Sequence, residues 1–322
     1  MRAAIYRETG GSDVLAVEEV PTPEPGPGEV RVRITCSGVN PTDWKTRSGA
    51  TGGTPAEPQV PHHDGAGVID AVGQGVADRQ VGQRVWLYLA AFGNRWGTAA
   101  EHSVVPAERT VVLPEGASDE LGASLGVPAV TAAHCLGGRP GHLRDATVLV
   151  TGGAGAVGHY AIELAKHAGA RVVTTVSSPE KAELARATGA DLVVDYRRPG
   201  FIDEVRAFSP TVDRVVEVAL GANLELDLAL CRPGTEIVTY AAEAHDPTLP
   251  TRRLMTVNAV IRYVLLYGVP APQLAEALSW VERAVGDGAL SLLPLHRFSL
   301  DEVAAAQDAV EAGALGKVLV VP

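Results

Sequence analysis

Three glycines, Gly153, Gly155 and Gly158, follow at once on the apolar run Val148-Leu149-Val150, the arrangement of a turn whose backbone N–H groups hold phosphate. Gly153 is expected to permit the tight turn, Gly155 to let the backbone of Ala156 and Val157 approach a pyrophosphate, and Gly158 to allow close helix–strand packing. The chemistry this predicts is dinucleotide binding. About twenty residues further on, where an acid would bond the ribose 2′-hydroxyl of NAD, the chain reads Val176-Ser177-Ser178 with no Asp or Glu. Ser177 and Ser178 can donate to a 2′-phosphate and Lys181 adds a positive charge, so NADPH is expected over NADH. Ser177-x-x-Glu180 with Pro179 also fits a helix capping box, and the two roles of Ser177 can coexist.

The elements that must position these groups are legible around them. Residues 147–176 read as a buried strand, the glycine turn, a helix with the stripe Val157, Ala161, Leu164, Ala165 and Ala168, a stop at Gly169, and a second strand from Arg171 to Val176. This unit lies in mid-chain. Before about Leu121 the runs Val30–Thr35, Gly67–Val72 and Arg84–Leu89 are broken by Pro21–Gly28 and Gly49–Pro58, which predicts an irregular β domain. From Gly122 to about Tyr267 strands alternate with helices, with Leu192–Val194, Arg214–Val218, Glu236–Tyr240 and the region Val257–Leu266 as strand candidates, so the sheet should be parallel. The tail predicts helices around Pro272–Val285 and Leu300–Ala312 and a closing strand Lys317–Val321 that returns to the first domain. The expected boundaries are therefore 1–121, 122–267 and 268–322.

At 322 residues, 46% of them hydrophobic and 20% charged, the chain suits two globular domains. No uninterrupted apolar stretch is long enough to span a bilayer, and the opening MRAAIYRETGGSDVL lacks the apolar core of a signal peptide, so no membrane association and a cytoplasmic location are expected. A net charge of −11 argues against nucleic acid as a partner. Cys36, Cys135 and Cys231 are scattered and odd in number, which excludes a disulfide framework.

Several segments carry a resemblance that runs over nearly the whole chain: Gly38-Val39-Asn40-Pro41-Thr42-Asp43-Trp44-Lys45-Thr46-Arg47-Ser48-Gly49, Asp64–Gly73, Gly82–Val85, Gly126–Ala132, Gly189-Ala190-Asp191 and Gly316-Lys317. In these the sequence resembles the medium-chain dehydrogenase/reductase superfamily, in particular its zinc-free quinone oxidoreductase and enone oxidoreductase branch. The resemblance implies an α/β fold with a GroES-like β-rich catalytic domain, an inserted Rossmann domain with a doubly wound parallel sheet, a cofactor cleft between them, and a homodimer. It also implies that Thr131 lies near the nicotinamide and Tyr196 near the adenosine 2′-phosphate; each has a plain alternative, an early-helix hydroxyl and a half-buried tyrosine at a strand end. Tyr240 and Ala241 follow a strand whose C-terminal end should face the cofactor. Lys317 resembles the family's terminal lysine, whose charge either approaches the cofactor or solvates the last strand.

Zinc-dependent relatives need ligands at three separated places, and two are missing: Asn40 stands where a cysteine would be and Val127 where the third ligand would fall. The pair His63-Asp64 does resemble the His-Glu pair of those relatives, which keeps a zinc-dependent alcohol dehydrogenase as an alternative. No metal is expected. For His62 and His63 the readings are hydrogen-bonded residues of the fold or, for His63, a polar contact to substrate or ribose. Without a Lewis acid the chemistry should need little charge stabilisation, as in hydride addition to a quinone or to the C=C bond of an α,β-unsaturated carbonyl. Asn40 and Lys45 are the candidate donors to the developing enolate or phenolate, and Trp44, His63, Tyr88, Trp96 and Tyr267 the candidate walls of a substrate pocket. A non-catalytic NADPH-binding protein is the remaining alternative.

Overall fold

Apolar and β-branched residues alternating between prolines and glycines fold residues 2–112 into short strands: β1 (Arg2–Ile5), β2 (Ala16–Glu19), β3 (Glu29–Val39), β4 (Asp64–Val72), β5 (Arg84–Leu87), β6 (His102–Pro106) and β7 (Thr110–Val112). The helices α1 (Pro41–Arg47) and α2 (Asp119–Gly122) interrupt and follow them. After α3 (Gly126–Cys135) come β8 (Thr147–Val150), α4 (Ala156–His167), β9 (Arg171–Val176), α5 (Pro179–Ala187), β10 (Leu192–Asp195), α6 (Phe201–Phe208), β11 (Val212–Glu217), α7 (Leu220–Leu230), β12 (Cys231–Thr239), α8 (Thr251–Thr256) and β13 (Val260–Tyr263). The chain closes with α9 (Ala271–Gly286), β14 (Leu295–Ser299), α10 (Val303–Glu311) and β15 (Lys317–Val321). This computed structural model describes every residue except Ala244, and it divides into two units, Met1–Val127 with Pro294–Pro322, and Pro128–Leu293.

In the first unit one sheet runs β14-β15-β3-β4-β5-β7, with β6 also pairing β3. The last strand returns as expected: β15 lies antiparallel to β3, with Val318 opposite Val39 and Val320 opposite Ser37. The run Arg84–Leu89 is cut short at Leu87 because Leu89 takes a left-handed backbone, φ +52°. In the second unit six parallel strands run in the order β10-β9-β8-β11-β12-β13. The order reverses between β8 and β11, and the crevice outside the strand ends at such a switch point is where α/β sheets bind ligands. Of the region Val257–Leu266 only Val260–Tyr263 is strand.

Two expected boundaries move. Gly122 belongs to the first unit, since α2 packs so closely that a Cβ on Gly122 would stand 2.9 Å from Ala66 Cβ. The second unit ends at Leu293 rather than 267, because α9 buries Ala277, Trp280, Val281 and Ala284 within it. The segment after α9 is pinned there too: Ser291 donates from its N–H to Glu163 Oε2 at 3.0 Å, and His159 Nε2 lies 3.1 Å from the Ser291 carbonyl oxygen.

Candidate functional site

In the second unit, β8 ends at Val150, and after Thr151 the chain turns through Gly152, which carries the left-handed backbone, φ +68°. That corrects the assignment of the tight turn to Gly153. Gly153 is required for a different reason: a Cβ there would stand 2.0 Å from Thr174 Oγ1 on β9. Gly158 likewise has no room, its Cβ falling 2.4 Å from the Gly152 carbonyl oxygen. Gly155 is exposed and serves as N-cap of α4 without a side-chain acceptor, and Ala156 and Val157, half-buried, open the helix. The first-turn N–H groups and the positive end of the helix dipole are thus left to an external anion. The residues present fit a dinucleotide pyrophosphate.

Beside this turn, at the end of β9, Lys181 Nζ donates to Ser177 Oγ at 3.0 Å. Ser178, not Ser177, caps α5, accepting from the Lys181 N–H at 3.3 Å, so the capping box read from Ser177 and Glu180 is one residue out of register. The correction frees the Ser177 hydroxyl for the lysine and for a ligand. Tyr196 follows β10, its N–H donating to the Val176 carbonyl at 3.1 Å, which sets it next to Ser177; at 44% exposure it is open to solvent rather than half-buried. Tyr240 and Ala241 follow β12, half-buried, and burial pushes the Tyr240 phenol upward. Thr131 is buried in the middle of α3, so its reading as an early-helix hydroxyl is overturned.

The first unit holds a second polar constellation. Asn40, at the end of β3, caps α1, and its N–H donates to Asp43 Oδ2 at 2.7 Å. Its Nδ2 donates to Asp64 Oδ2 at 2.7 Å, while its Oδ1 accepts from Lys317 Nζ at 2.8 Å. Lys317 Nζ also lies 3.4 Å from Asp64 Oδ2, and the Val127 N–H donates to Asp64 Oδ1 at 2.7 Å. Lys317, 2% exposed, is therefore an internal counter-ion to Asp64, and the reading in which it solvates the last strand is overturned. Burial pushes the Asp64 carboxyl up and the Lys317 ammonium down, and each opposes the other's shift.

His62 and His63 are both buried. Arg47 Nε donates to Gln307 Oε1 at 2.7 Å, which turns the Gln307 amide nitrogen toward His62 Nε2 at 3.2 Å. His62 Nε2 must then accept, leaving Nδ1 to donate to Ser37 Oγ at 2.9 Å, and Ser37 passes the chain on to Thr98 Oγ1 at 2.8 Å. Thr98 closes it by donating to the Asp64 carbonyl. Burial lowers both imidazoles to about 3, so they are neutral. His63 Nε2 stands 4.0 Å from Asp43 Oδ1, beyond hydrogen-bonding distance.

Of the candidate pocket walls, Trp44, His63, Tyr88 and Trp96 lie in the first unit and Tyr267 in the second. Tyr88, 6% exposed, donates its hydroxyl to the Glu108 carbonyl at 2.8 Å and packs against Trp86, so it is a core residue. Trp96 packs against the first unit's core under the Arg95 guanidinium, 4.7 Å from its ring centroid. Trp44 and Lys45 are half-buried neighbours on α1, the Lys45 ammonium 5.7 Å from the Trp44 ring centroid. Tyr267 is half-buried in the second unit, in the short turn Leu266–Gly268. Sequence reasoning missed Arg47, Gln307 and Ser37, for no local pattern marks residues that meet across 260 positions.

The alcohol dehydrogenase GroES-like domain family matches residues 26–115, and the zinc-binding dehydrogenase family matches residues 156–283. The chain is 34% identical over 262 residues to the synaptic vesicle membrane protein VAT-1 homolog of Rattus norvegicus, covering 79% of this chain but only 62% of that longer protein. It is 32% identical over 245 residues to quinone oxidoreductase of Mus musculus, covering 74% of this chain and 72% of the relative. A mycobacterial protein solved in complex with NADPH superposes with a TM-score of 0.85 at 29% identity, over the full length of both chains. Among the described residues no three His, Cys, Asp or Glu side chains gather as a metal site, and no helix is long and apolar enough to cross a membrane. With the switch-point sheet, the glycine turn and the β-rich unit completed by β15, these matches show that the chain belongs to the medium-chain dehydrogenase/reductase superfamily, in its quinone oxidoreductase branch.

Proposed function

We propose that this protein is an NADPH-dependent, zinc-independent oxidoreductase that delivers hydride to a quinone or to the C=C bond of an α,β-unsaturated carbonyl. One observation carries the cofactor assignment: at the end of β9 a lysine and a serine converge, Lys181 Nζ to Ser177 Oγ at 3.0 Å, where an NAD-specific site would place an acid. The solved mycobacterial relative carries NADPH, which supports the same choice. The glycine turn and the first turn of α4 hold the pyrophosphate. When bound, the nicotinamide supplies the hydride.

The donor set of the first unit supports metal independence. Asn40 and Val127 stand at two ligand places, Asp64 has both oxygens engaged by Asn40, Lys317 and the Val127 N–H, and the ammonium of Lys317 already supplies positive charge at that point. A divalent ion there would meet a neutral amide, a backbone N–H and a like charge. Asn40 is 3% exposed with its oxygen and one amide hydrogen committed, so it acts as a positioning residue for α1. Lys45, on that helix, is the group assigned to orient the carbonyl and steady the developing enolate or phenolate.

An NADPH-coupled assay comparing quinones with enones, with and without chelator, tests the reading. Turnover that survives chelation and is faster with NADPH than with NADH is expected. No turnover across a broad acceptor panel, with tight NADPH binding retained, would leave a non-catalytic nucleotide-binding protein in its place; stoichiometric zinc by elemental analysis would restore the alcohol dehydrogenase alternative.

A further inference from the structure

The connection between β10 and α6 is fixed by Asp195, whose Oδ1 accepts the Arg197 N–H at 2.9 Å and whose carbonyl accepts the Arg198 N–H at 3.0 Å. These two arginines, both exposed, stand on the wall of a cavity of about 800 Å³ lined otherwise by residues of α6, α7 and α8. A space of that size suits a small molecule. Of the groups assigned to the cofactor only Tyr196 lines it; the glycine turn, Ser177 and Lys181 do not.

The cavity has two chemically different surfaces. Phe201 and Ile202 on α6 and Leu228 on α7 are half-buried and pack on the core of the second unit, so part of the lining is apolar. The rest is basic: Arg197, Arg198, Arg206 and Arg253 stand against two carboxylates, Asp203 and Glu225, in a chain whose net charge is −11. Two of the four arginines serve the fold. Arg253 binds Glu225 through both nitrogens, at 2.5 and 2.9 Å, and Arg206 ties α6 to α7 by donating to the Ala229 carbonyl at 3.2 Å. The other two are available. Arg198 meets Glu204 only at 3.8 Å, a long pair in water that an entering anion displaces, and no carboxylate lies in ion-pair range of Arg197 among the described residues. The first turn of α6 adds the positive end of its dipole beside them, since the N-cap Gly200 has no side chain to bond the N–H groups and a Cβ there would meet nothing within 4 Å.

We propose that this cavity is a second ligand site, apart from the dinucleotide turn, for an organic phosphate: its phosphate meets the Arg197 and Arg198 guanidiniums at the start of α6, and its apolar or aromatic body lies on Phe201, Ile202 and Leu228. The planar fork of a guanidinium matches phosphate oxygens two at a time, and the apolar lining rewards a body that inorganic phosphate lacks. The inference goes beyond the cofactor reading and does not rest on it.

The test is calorimetric titration of the full-length protein with naphthyl phosphate, naphthol and inorganic phosphate, with and without saturating NADPH. Naphthyl phosphate should bind one site per chain at least about tenfold more tightly than either of the others, and NADPH should leave its dissociation constant within about twofold. R197Q combined with R198Q should weaken naphthyl phosphate by about tenfold or more and leave NADPH binding within about twofold, while R197K with R198K recovers part of the loss; thermal unfolding checks that the variants fold. No binding of naphthyl phosphate, equal binding of naphthol or of inorganic phosphate, or unchanged affinity in the R197Q and R198Q variant would overturn the proposal. Displacement of naphthyl phosphate by NADPH would also overturn it, because the cavity would then belong to the cofactor site.

Discussion

The Lys317 ammonium donates to Asn40 Oδ1 at 2.8 Å, across 277 positions of sequence, and thereby joins the last strand to the cap of α1 inside one buried polar knot. Asp64, fully buried, holds the far side of both.

Removing the cation alone should therefore be far worse than removing the pair. Lys317→Met strands the buried carboxylate of Asp64 and is expected to cost about 3–5 kcal/mol, whereas Lys317→Met with Asp64→Asn should recover much of that loss. Urea unfolding of the single and double variants measures it, and additive losses would contradict the coupling.

Lys45 stands on the helix that this knot positions, its ammonium 5.7 Å from the centroid of the Trp44 ring. Lys45→Ala should lower kcat/KM for the best quinone or enone acceptor by about tenfold to a hundredfold, with little change in stability, because it removes a donor to developing negative charge. Steady-state kinetics at saturating NADPH check this, and unchanged values would reject Lys45 as an orienting group.

A second buried group has a consequence for pH. Asp227 on α7 is fully buried with neither oxygen hydrogen-bonded among the described residues, and burial, followed by the charge of Glu217 on β11, pushes its carboxyl from 3.8 up to about 9. Glu217 is raised by burial as well, and Cys231 at the start of β12 feels the Asp227 charge. A carboxyl whose folded pKa exceeds its unfolded pKa takes up a proton on folding. Its contribution is complete below the unfolded value near 4 and is lost as pH rises toward about 9. Asp227→Asn, which keeps the neutral shape, should flatten that fall and raise the unfolding midpoint most at pH 8–9. Parallel pH profiles for wild type and variant would show that Asp227 is not the group responsible.

The β13 edge of the parallel sheet pairs only with β12, and Val260, Tyr263 and Leu265 are exposed along it, Tyr263 at 65% and Leu265 at 69%. An open edge that is this apolar offers a row of backbone donors and acceptors to an identical edge related by a two-fold axis. We expect a homodimer formed by a second copy at this edge. Light scattering should give twice the chain mass, and Val260→Lys with Leu265→Asp should shift it to one chain; a dimer unaffected by those changes would place the interface elsewhere.

Much of the fold was legible because it is local. The strand Lys317–Val321, the turn at Gly153–Gly158 and the alternation around Leu192–Val194 are set by side-chain period and by residues that permit or forbid a backbone conformation. The misplacements are informative in the same terms. Gly152 carries the left-handed turn while Gly153 is kept small by Thr174 on another strand, and the cap lies at Ser178 rather than Ser177, where the hydroxyl accepts from the Lys181 N–H.

What the sequence determined by itself was the dinucleotide turn, the acid-free end of β9, and Asn40 and Val127 at two of the places where zinc-dependent relatives carry ligands, since each is a matter of which atoms a residue carries. What only tertiary structure decided was where those atoms find partners. Lys317 is a buried counter-ion rather than a solvated terminal charge, Tyr88 is core rather than pocket wall, and His62 is neutral with a defined tautomer. Each outcome depends on burial and on contacts between residues far apart in the chain, and desolvation makes those contacts obligatory: a buried charge or amide must be met by whatever the fold brings to it.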